Sequence, residues 1–418
     1  MSFAGAMSFA DEARALDAAD PLAAARGLFV LPDGVIYLDG NSLGALPRVT
    51  AARVAQVIER EWGERLIRSW NSGADGTPGW IDLPRRVGAK IAPLIGAAGH
   101  EVIACDSTSV NVFKLLGAAL QLRPGRRVIV SEQGSFPTDI YMIQGLQQLG
   151  LAEQRLADLG ALASALDGDV AAVLLSHVHY KTGHVHDMAA ITAAAHAAGA
   201  LVIWDLSHSA GAIEVDLAAS NADLAVGCGY KYLNGGPGAP AYLYVAERLQ
   251  ADIANPLSGW MGHGAPFAFT DTYAPAAGIT RMLTGTPAIL GLAALDCGAG
   301  TIAELGMPVL AAKSAALTDF FMRARSATCP SLALVSPAAP GPRGSHVALR
   351  HSEAYAVCQA LIGRGVIGDF REPDILRFGF TPAYLGFAEV WRAVQHIAAV
   401  LDAREWDHPQ FRQRLAVT

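Results

Sequence analysis

No uninterrupted apolar run in this chain of 418 residues approaches the roughly 18–20 residues that a membrane-spanning helix needs. That holds although 52% of the residues are hydrophobic and the mean hydropathy is +0.30. The apolar excess is largely alanine, broken by Gly, His, Asp and Arg, so the chain reads as a soluble globular protein. Charge is scarce at 17% and acidic in balance, with a net −7 and a pI near 5.9. With no basic stripe, this speaks against a nucleic-acid partner. Cysteine is scarce as well: Cys105, Cys228, Cys297, Cys329 and Cys358 are odd in number and form no CxxC pair. A disulfide scaffold is thereby excluded, and reduced thiols in the cytoplasm are the simplest account. The start, MSFAGAMSFADEARALDAAD, lacks a basic region ahead of an apolar core and does not read as a secretion signal. Its doubled MSFA reads as alternative starts or a short tail. Low-complexity segments and 20–50-residue periods are missing too.

Against that background one stretch is dense in chemistry: ALVIWDLSHSAGAIEVDLAASNADLAVGCGYKYLNGGPG, residues 200–238. The apolar run Leu201-Val202-Ile203-Trp204 predicts a buried strand stopping at Asp205, with His208 following. A second run, Leu224-Ala225-Val226, leads into Tyr230, Lys231 and a glycine-rich turn. In open α/β sheets ligands sit outside the carboxyl ends of the strands, so an acid and a lysine at two such ends can face one ligand. A lysine that forms a Schiff base, with an Asp for a pyridinium nitrogen, is the minimal protein equipment for pyridoxal phosphate. Read this way, Lys231 holds the cofactor, Asp205 pairs with its ring nitrogen, and His208 supports Asp205 or the ring oxygen. Tyr230 is placed to bond the phosphate and to act as acid or base, which calls for a lowered phenol pKa.

Other segments are compatible with this. Thr108 and Ser109 precede an apolar helix, where such residues cap the first turn or bind phosphate at the free amides. Pro137 opens a helix after Phe136 at a strand-to-helix junction. Val170 to Leu175 reads as a strand ending at Ser176. The His-x-His spacings at His177, His179, His184 and His186 have chelating form but no partner set of recognisable spacing, so no metal is assigned. Lys181, one of five lysines, lies near a strand end but is followed by Thr-Gly, unlike Lys231. Met188 to Ala200 predicts a crossover helix, making a βαβ unit. Val49 to Ile67 has helical spacing and runs into Trp70. Arg377, within the apolar Ile375–Phe378 strand, suits either a salt bridge or a bidentate grip on a carboxylate.

Taken in order, YLDGNSLG, SWNSG, FPTD, HVHYKTG, WDLSHSAGA, GYKYLNGGPG, GWMGH and RFGFTP resemble the kynureninases, a family of fold-type-I pyridoxal phosphate enzymes, over nearly the whole chain. The resemblance implies an α/β fold of the fold-type-I PLP-dependent transferase kind, with a mainly parallel sheet between helices in a large domain and a small α+β domain. The expected boundaries are 1–60 for an N-terminal segment contributing to the small domain, 61–290 for the large PLP-binding domain and 291–418 for the small domain. It implies that Thr108 and Ser109 are phosphate ligands and that Phe136 covers the pyridine ring. Pro137, Thr138, Asp139 and Ser176 would belong to the cofactor site. Arg377 would bind the substrate α-carboxylate and Trp70 would lie against its aromatic ring. Trp260 and Thr286 would reach the phosphate of the neighbouring subunit in a homodimer. Eukaryotic members carry Asn at the position of Thr286 and His at that of Trp70. Both departures match the bacterial type, which favours kynurenine over its 3-hydroxy derivative.

The implied reaction is hydrolysis of L-kynurenine to anthranilate and L-alanine, a step in tryptophan breakdown or NAD biosynthesis. The residues alone do not select it from the other reactions of the cofactor. A cysteine desulfurase-like lyase is the rival enzyme, but it needs a mobile reactive cysteine, and Cys329-Pro330 forms no such loop. A non-catalytic PLP-binding regulator is the rival of another class, and the presence of both Asp205 and Lys231 argues against it.

Overall fold

The computed structural model describes residues 7–74, 76–338 and 341–415. The first MSFA copy and residues 339–340 lie outside them. Seven short strands form the main sheet: β1 Val102–Ala104, β2 Val128–Glu132, β3 Glu153–Ala157, β4 Val170–Ser176, β5 Leu201–Asp205, β6 Leu224–Gly227 and β7 Tyr242–Val245. Their order is β1-β7-β6-β5-β4-β2-β3. Strands β4, β5 and β6 are continuous Val, Ile, Leu and Ala runs buried along their whole length, as expected for parallel strands covered on both faces. Their mutual pairing is parallel, while β7 runs antiparallel between β6 and β1. The edge strand β3 has no apolar run to betray it. Its Glu153, Gln154 and Arg155 keep an open edge from pairing with another chain.

Register positions the chemistry. Ser176 pairs with Asp205, and Asp205 with Val226, so the residues that follow β4, β5 and β6 emerge at one edge. Helix Met188–Ala197 makes the crossover from β4 to β5, three residues shorter at its end than the spacing predicts. There Gly199, at φ +78°, turns the chain into β5.

A second, antiparallel sheet holds Ala333–Leu334, His346–Arg350, Ile375–Gly379 and Asp369–Arg371, in that order. Helices Met307–Thr328 and Ala354–Gly363 pack on it, and helix Phe387–Asp402 packs on both of them. The N-terminal segment joins this C-terminal unit: Ile36–Tyr37 pairs in parallel with Val366–Ile367. Asp17, at the end of helix Phe9–Ala18, accepts hydrogen bonds from the N–H groups of Phe387 and Ala388 at 2.6 and 2.9 Å. This carboxylate satisfies donors at a helix N-terminus and opposes the dipole there.

The helix expected over 49–67 is broken. An α-helix, Arg48–Gln56, passes into a π-helix, Val57–Glu64, and a 3₁₀ turn, Leu66–Trp70. The wider turn carries Glu61 inward, where it accepts from Arg53 at 2.5 Å and from the Trp80 indole at 2.6 Å. Such π-turns re-aim side chains at the cost of poorer hydrogen-bond geometry. Among the described residues no single helix is long and apolar enough to cross a membrane.

Candidate active site

At the carboxyl edge of the main sheet lies a cavity of about 370 Å³. Ten residues expected at the site line it: Thr108, Ser109, Phe136, Thr138, Ser176, Asp205, His208, Tyr230, Lys231 and Thr286. Lys231 sits in the turn after β6. That turn is held by the N-terminal segment, because the Gly44 N–H donates to the Tyr230 carbonyl at 2.7 Å. A Cβ at Gly44 would fall 2.2 Å from the Lys231 carbonyl oxygen, so only glycine allows this approach.

Lys231 Nζ lies 3.0 Å from His208 Nε2 and 5.7 Å from the Phe136 ring centroid. Burial holds the imidazole of His208 well below its ordinary pKa, and the charges of Lys231 and Arg377 add to this. His208 is therefore neutral, and it contacts the lysine rather than Asp205. Asp205 Oδ1 accepts from the Ser207 N–H at 2.8 Å and from the Ser207 hydroxyl at 2.6 Å. Burial raises its carboxyl above the ordinary range, opposed by the Ser207 hydrogen bonds and by Lys231. Behind Ser176, whose hydroxyl donates to it at 3.4 Å, lies Asp139. Burial, reinforced by Asp205, pushes the Asp139 carboxyl well up. Two neighbouring buried carboxyls do not ionise together, so Asp139 carries the proton.

Tyr230 departs from expectation. Burial pushes its phenol up, with Cys228 and Asp205 adding to the rise. Burial outweighs the nearest cation, Lys231 Nζ at 5.9 Å from the ring centroid, so the phenol stands as a neutral hydrogen-bond donor.

At the far end, helix Thr108–Leu122 opens on the cavity with Ser107 as its cap. The Thr108 and Ser109 N–H groups have no intrahelical acceptor, and Thr108 Oγ1 is buried without a partner among the described residues. Ser109 and Thr138 share a hydrogen bond of 2.8 Å. An anion fits this end, and a protonated ring nitrogen fits the carboxylate of Asp205.

Five expected residues stand off the cavity wall. Pro137 is the first residue of helix Pro137–Gln148, and Asp139 lies behind Ser176. Trp70 and Trp260 line a neighbouring apolar cavity of about 550 Å³ with Phe267, and Thr286 borders both cavities. Trp70 meets Trp80 edge-on at 5.9 Å. Arg377 is buried one residue behind the wall, where Nη1 donates to the carbonyl of cavity-lining Tyr180 at 2.6 Å. Its Nε and Nη2 bond the two oxygens of Asp369, and Nη2 reaches Ser42 at 3.1 Å. Asn41, with its amide oxygen toward the guanidinium, accepts at 2.9 and 3.1 Å. The YLDGNSLG turn thus serves the arginine.

Sequence reasoning missed Asp369 and Arg371, which pair at 2.8 Å. It also missed Ser207 and Tyr180, although a serine two residues after a strand-end Asp is the signature of an Asx-type turn. Lys181 lies over the Tyr180 ring, 5.8 Å from its centroid. The histidines have other partners: His177 meets Ser209 at 2.9 Å and His186 meets Glu132 at 3.0 Å.

Comparison with known proteins matches residues 310–397 to a family model described as the kynureninase C-terminal domain. A kynureninase of Burkholderia mallei (strain SAVP1) is 52% identical over 421 aligned positions, covering 99% of this chain and all of the relative. Among solved structures, the apo cysteine desulfurase of Thermococcus onnurineus NA1 superposes with a TM-score of 0.77 at 17% identity, over 91% of this chain and 98% of that one. A lysine-to-alanine mutant of the protein C-DES, with glycine covalently linked to its PLP cofactor, gives 0.76 at 17%, over 89% and 98%. At such identity these two establish the fold alone, a PLP-enzyme α/β architecture.

Proposed function

The chain belongs to the kynureninase family, and from that premise we propose that it hydrolyses the Cβ–Cγ bond of L-kynurenine, yielding anthranilate and L-alanine with pyridoxal phosphate as cofactor. The observation that carries this reading is the facing of Lys231 and Asp205 across one cavity that ends at a helix N-terminus. Bound there, pyridoxal phosphate supplies an electron sink for negative charge developing on the substrate.

The residues divide the work. Lys231 Nζ would hold the cofactor covalently and, when free, would be placed to take the Cα proton of the substrate. His208 Nε2, neutral and 3.0 Å away, accepts a hydrogen bond from that Nζ and orients it. The carboxylate of Asp205 keeps the ring nitrogen protonated. Thr108, Ser109 and the adjoining amides would hold the phosphate, with Phe136 and Thr138 bordering the ring. The Tyr230 phenol donates a proton to the leaving carbon. Arg377 draws the substrate carboxylate, since two guanidinium groups, Arg377 and Arg371, stand against the single carboxylate of Asp369. Trp70 flanks the aryl group and favours kynurenine over its 3-hydroxy derivative.

The homodimer belongs to the same proposal, with Trp260 and Thr286 reaching the partner's site. Exposed Trp260, Phe267 and Phe269, at 40, 59 and 80%, support a buried apolar contact there. We read 61–290 as the cofactor domain and 1–60 with 291–418 as the small one. Five free thiols suit the cytoplasm. None of them is exposed, which disfavours desulfurase chemistry, where a reachable thiolate must attack.

The test is an absorption spectrum of the purified protein followed by L-kynurenine addition, with anthranilate fluorescence as readout. A yellow protein that releases anthranilate, both signals lost in Lys231→Ala, is the expected result. A yellow protein that releases none sinks the reaction and keeps the cofactor. A protein that stays colourless with added pyridoxal phosphate sinks both.

A further inference from the structure

Lys114 is a wholly buried ammonium less than two turns into helix Thr108–Leu122. A buried charge is costly unless paired and hydrogen-bonded, and this one is fully engaged. Nζ donates to Asp106 Oδ2 at 2.6 Å and to the Met282 carbonyl at 2.7 Å, and meets Cys105 Sγ at 3.5 Å. Three donor hydrogens thus have three partners. Asp106 lines the cavity immediately before the Ser107-Thr108-Ser109 turn. It sits at φ +49°, in the left-handed region that non-glycine residues seldom enter. Left ionised and unpaired, its carboxylate would repel an anion at the helix end.

We propose that Lys114 is a positioning residue for the cofactor phosphate, acting through two neighbours. It cancels the charge of Asp106 from beneath the helix terminus. Through the Met282 carbonyl it also ties Leu283, Thr284 and Thr286, all on the cavity wall, to the phosphate end. The inference rests on the cofactor reading above and adds residues that the reaction itself does not touch.

The experiment compares equilibrium binding of pyridoxal 5′-phosphate with that of pyridoxal, which lacks the phosphate, to the full chain stripped of cofactor. Tyrosine and tryptophan fluorescence gives the readout. Lys114→Met is expected to lower the preference for the phosphorylated compound about tenfold while pyridoxal binding stays as in the wild type. Adding Asp106→Asn to it should restore most of that preference, because the unpaired carboxylate is then gone. A Lys114→Met protein that keeps the full preference, or loses both ligands equally, overturns the proposal in favour of a packing role. Should Lys114→Met fail to fold, the isosteric Asp106→Asn alone decides. Its preference must hold or rise, and a tenfold fall overturns the proposal. Wild-type protein that binds neither compound brings down the cofactor reading, and this inference with it.

Discussion

On the large-domain side of the cavity, polar atoms wait for partners. Thr108 Oγ1, His208 Nδ1 and Asp139 Oδ1 are buried without hydrogen bonds among the described residues. On the small-domain side Arg377 is bound on several edges by Asp369, Ser42 and the Tyr180 carbonyl. In the first region Thr108 and His208 line the cavity, where a bound group can partner them, and each unsatisfied buried polar group costs about 1–3 kcal/mol. In the second the guanidinium itself has its partners within the fold, although both ring nitrogens of His346, on the same sheet, have none among the described residues. One half is built to be finished by binding, the other to hold a charge in a fixed place. Ground-state stability should therefore be concentrated in the arginine cluster, and turnover in the lysine cluster.

The sharpest way to break this contrast is Arg377→Met. It strands Asp369 in the interior with only the half-buried Arg371, and an expected loss of about 3–5 kcal/mol would appear in urea unfolding. A stability loss as large from Lys231→Ala would remove the distinction between the halves.

Next in size is a pair of isosteric changes within the lysine cluster. Asp205→Asn should lower kcat about 100-fold, because an amide cannot keep the ring nitrogen protonated. Asp139→Asn should change kcat by less than about threefold, since burial already keeps that carboxyl protonated. Equal losses in the two variants would show that Asp139 works as an anion.

The smallest expected effect concerns pH. Burial, with Asp369 adding to it, pushes the Asp39 carboxyl from 3.8 up to about 8. Below pH 8 Asp39 is neutral and the Arg371–Arg377–Asp369 group keeps a net positive charge. Above it, the ionised Asp39 cancels that charge, so KM for kynurenine should rise several-fold between about pH 7 and 9.5. Stability follows the same sign: the folded state holds a proton that the unfolded chain releases from about pH 4. This contribution is complete below that pH and is lost as pH rises through about 8. Asp39→Asn should flatten both profiles, and a KM that still climbs in that variant points to another group.

How much of this was legible beforehand varies with the range of the interactions. Strands β4 to β6 and the residues at their ends could be read because continuous apolar runs and the polar residues that stop them are local signals. Helix Thr108–Leu122, with its Ser-Thr-Ser opening, was visible on the same ground. Strand β3 was not, since an edge strand carrying Glu, Gln and Arg has the composition of a loop. The π-turn at Val57–Glu64 escaped too: it goes with a Glu61 contact to Trp80, 19 positions away, that no local pattern announces. Tyr230 lines the cavity, but the rise of its phenol was not legible, since it comes first from burial, which only the fold sets.

Arg377 shows the boundary most clearly. A lone arginine in an apolar strand announces that a carboxylate must be near. The chain alone could not say that this carboxylate is Asp369, or that Ser42, 335 positions away, accepts from the same guanidinium. The sequence by itself determined which residues are chemically equipped: a lysine, an acid and a capped helix end, each marked by its immediate neighbours. The tertiary structure alone decided which charges are already satisfied and which are held open. Burial and pairing, unlike strand periodicity, are set by atoms brought together from hundreds of positions apart.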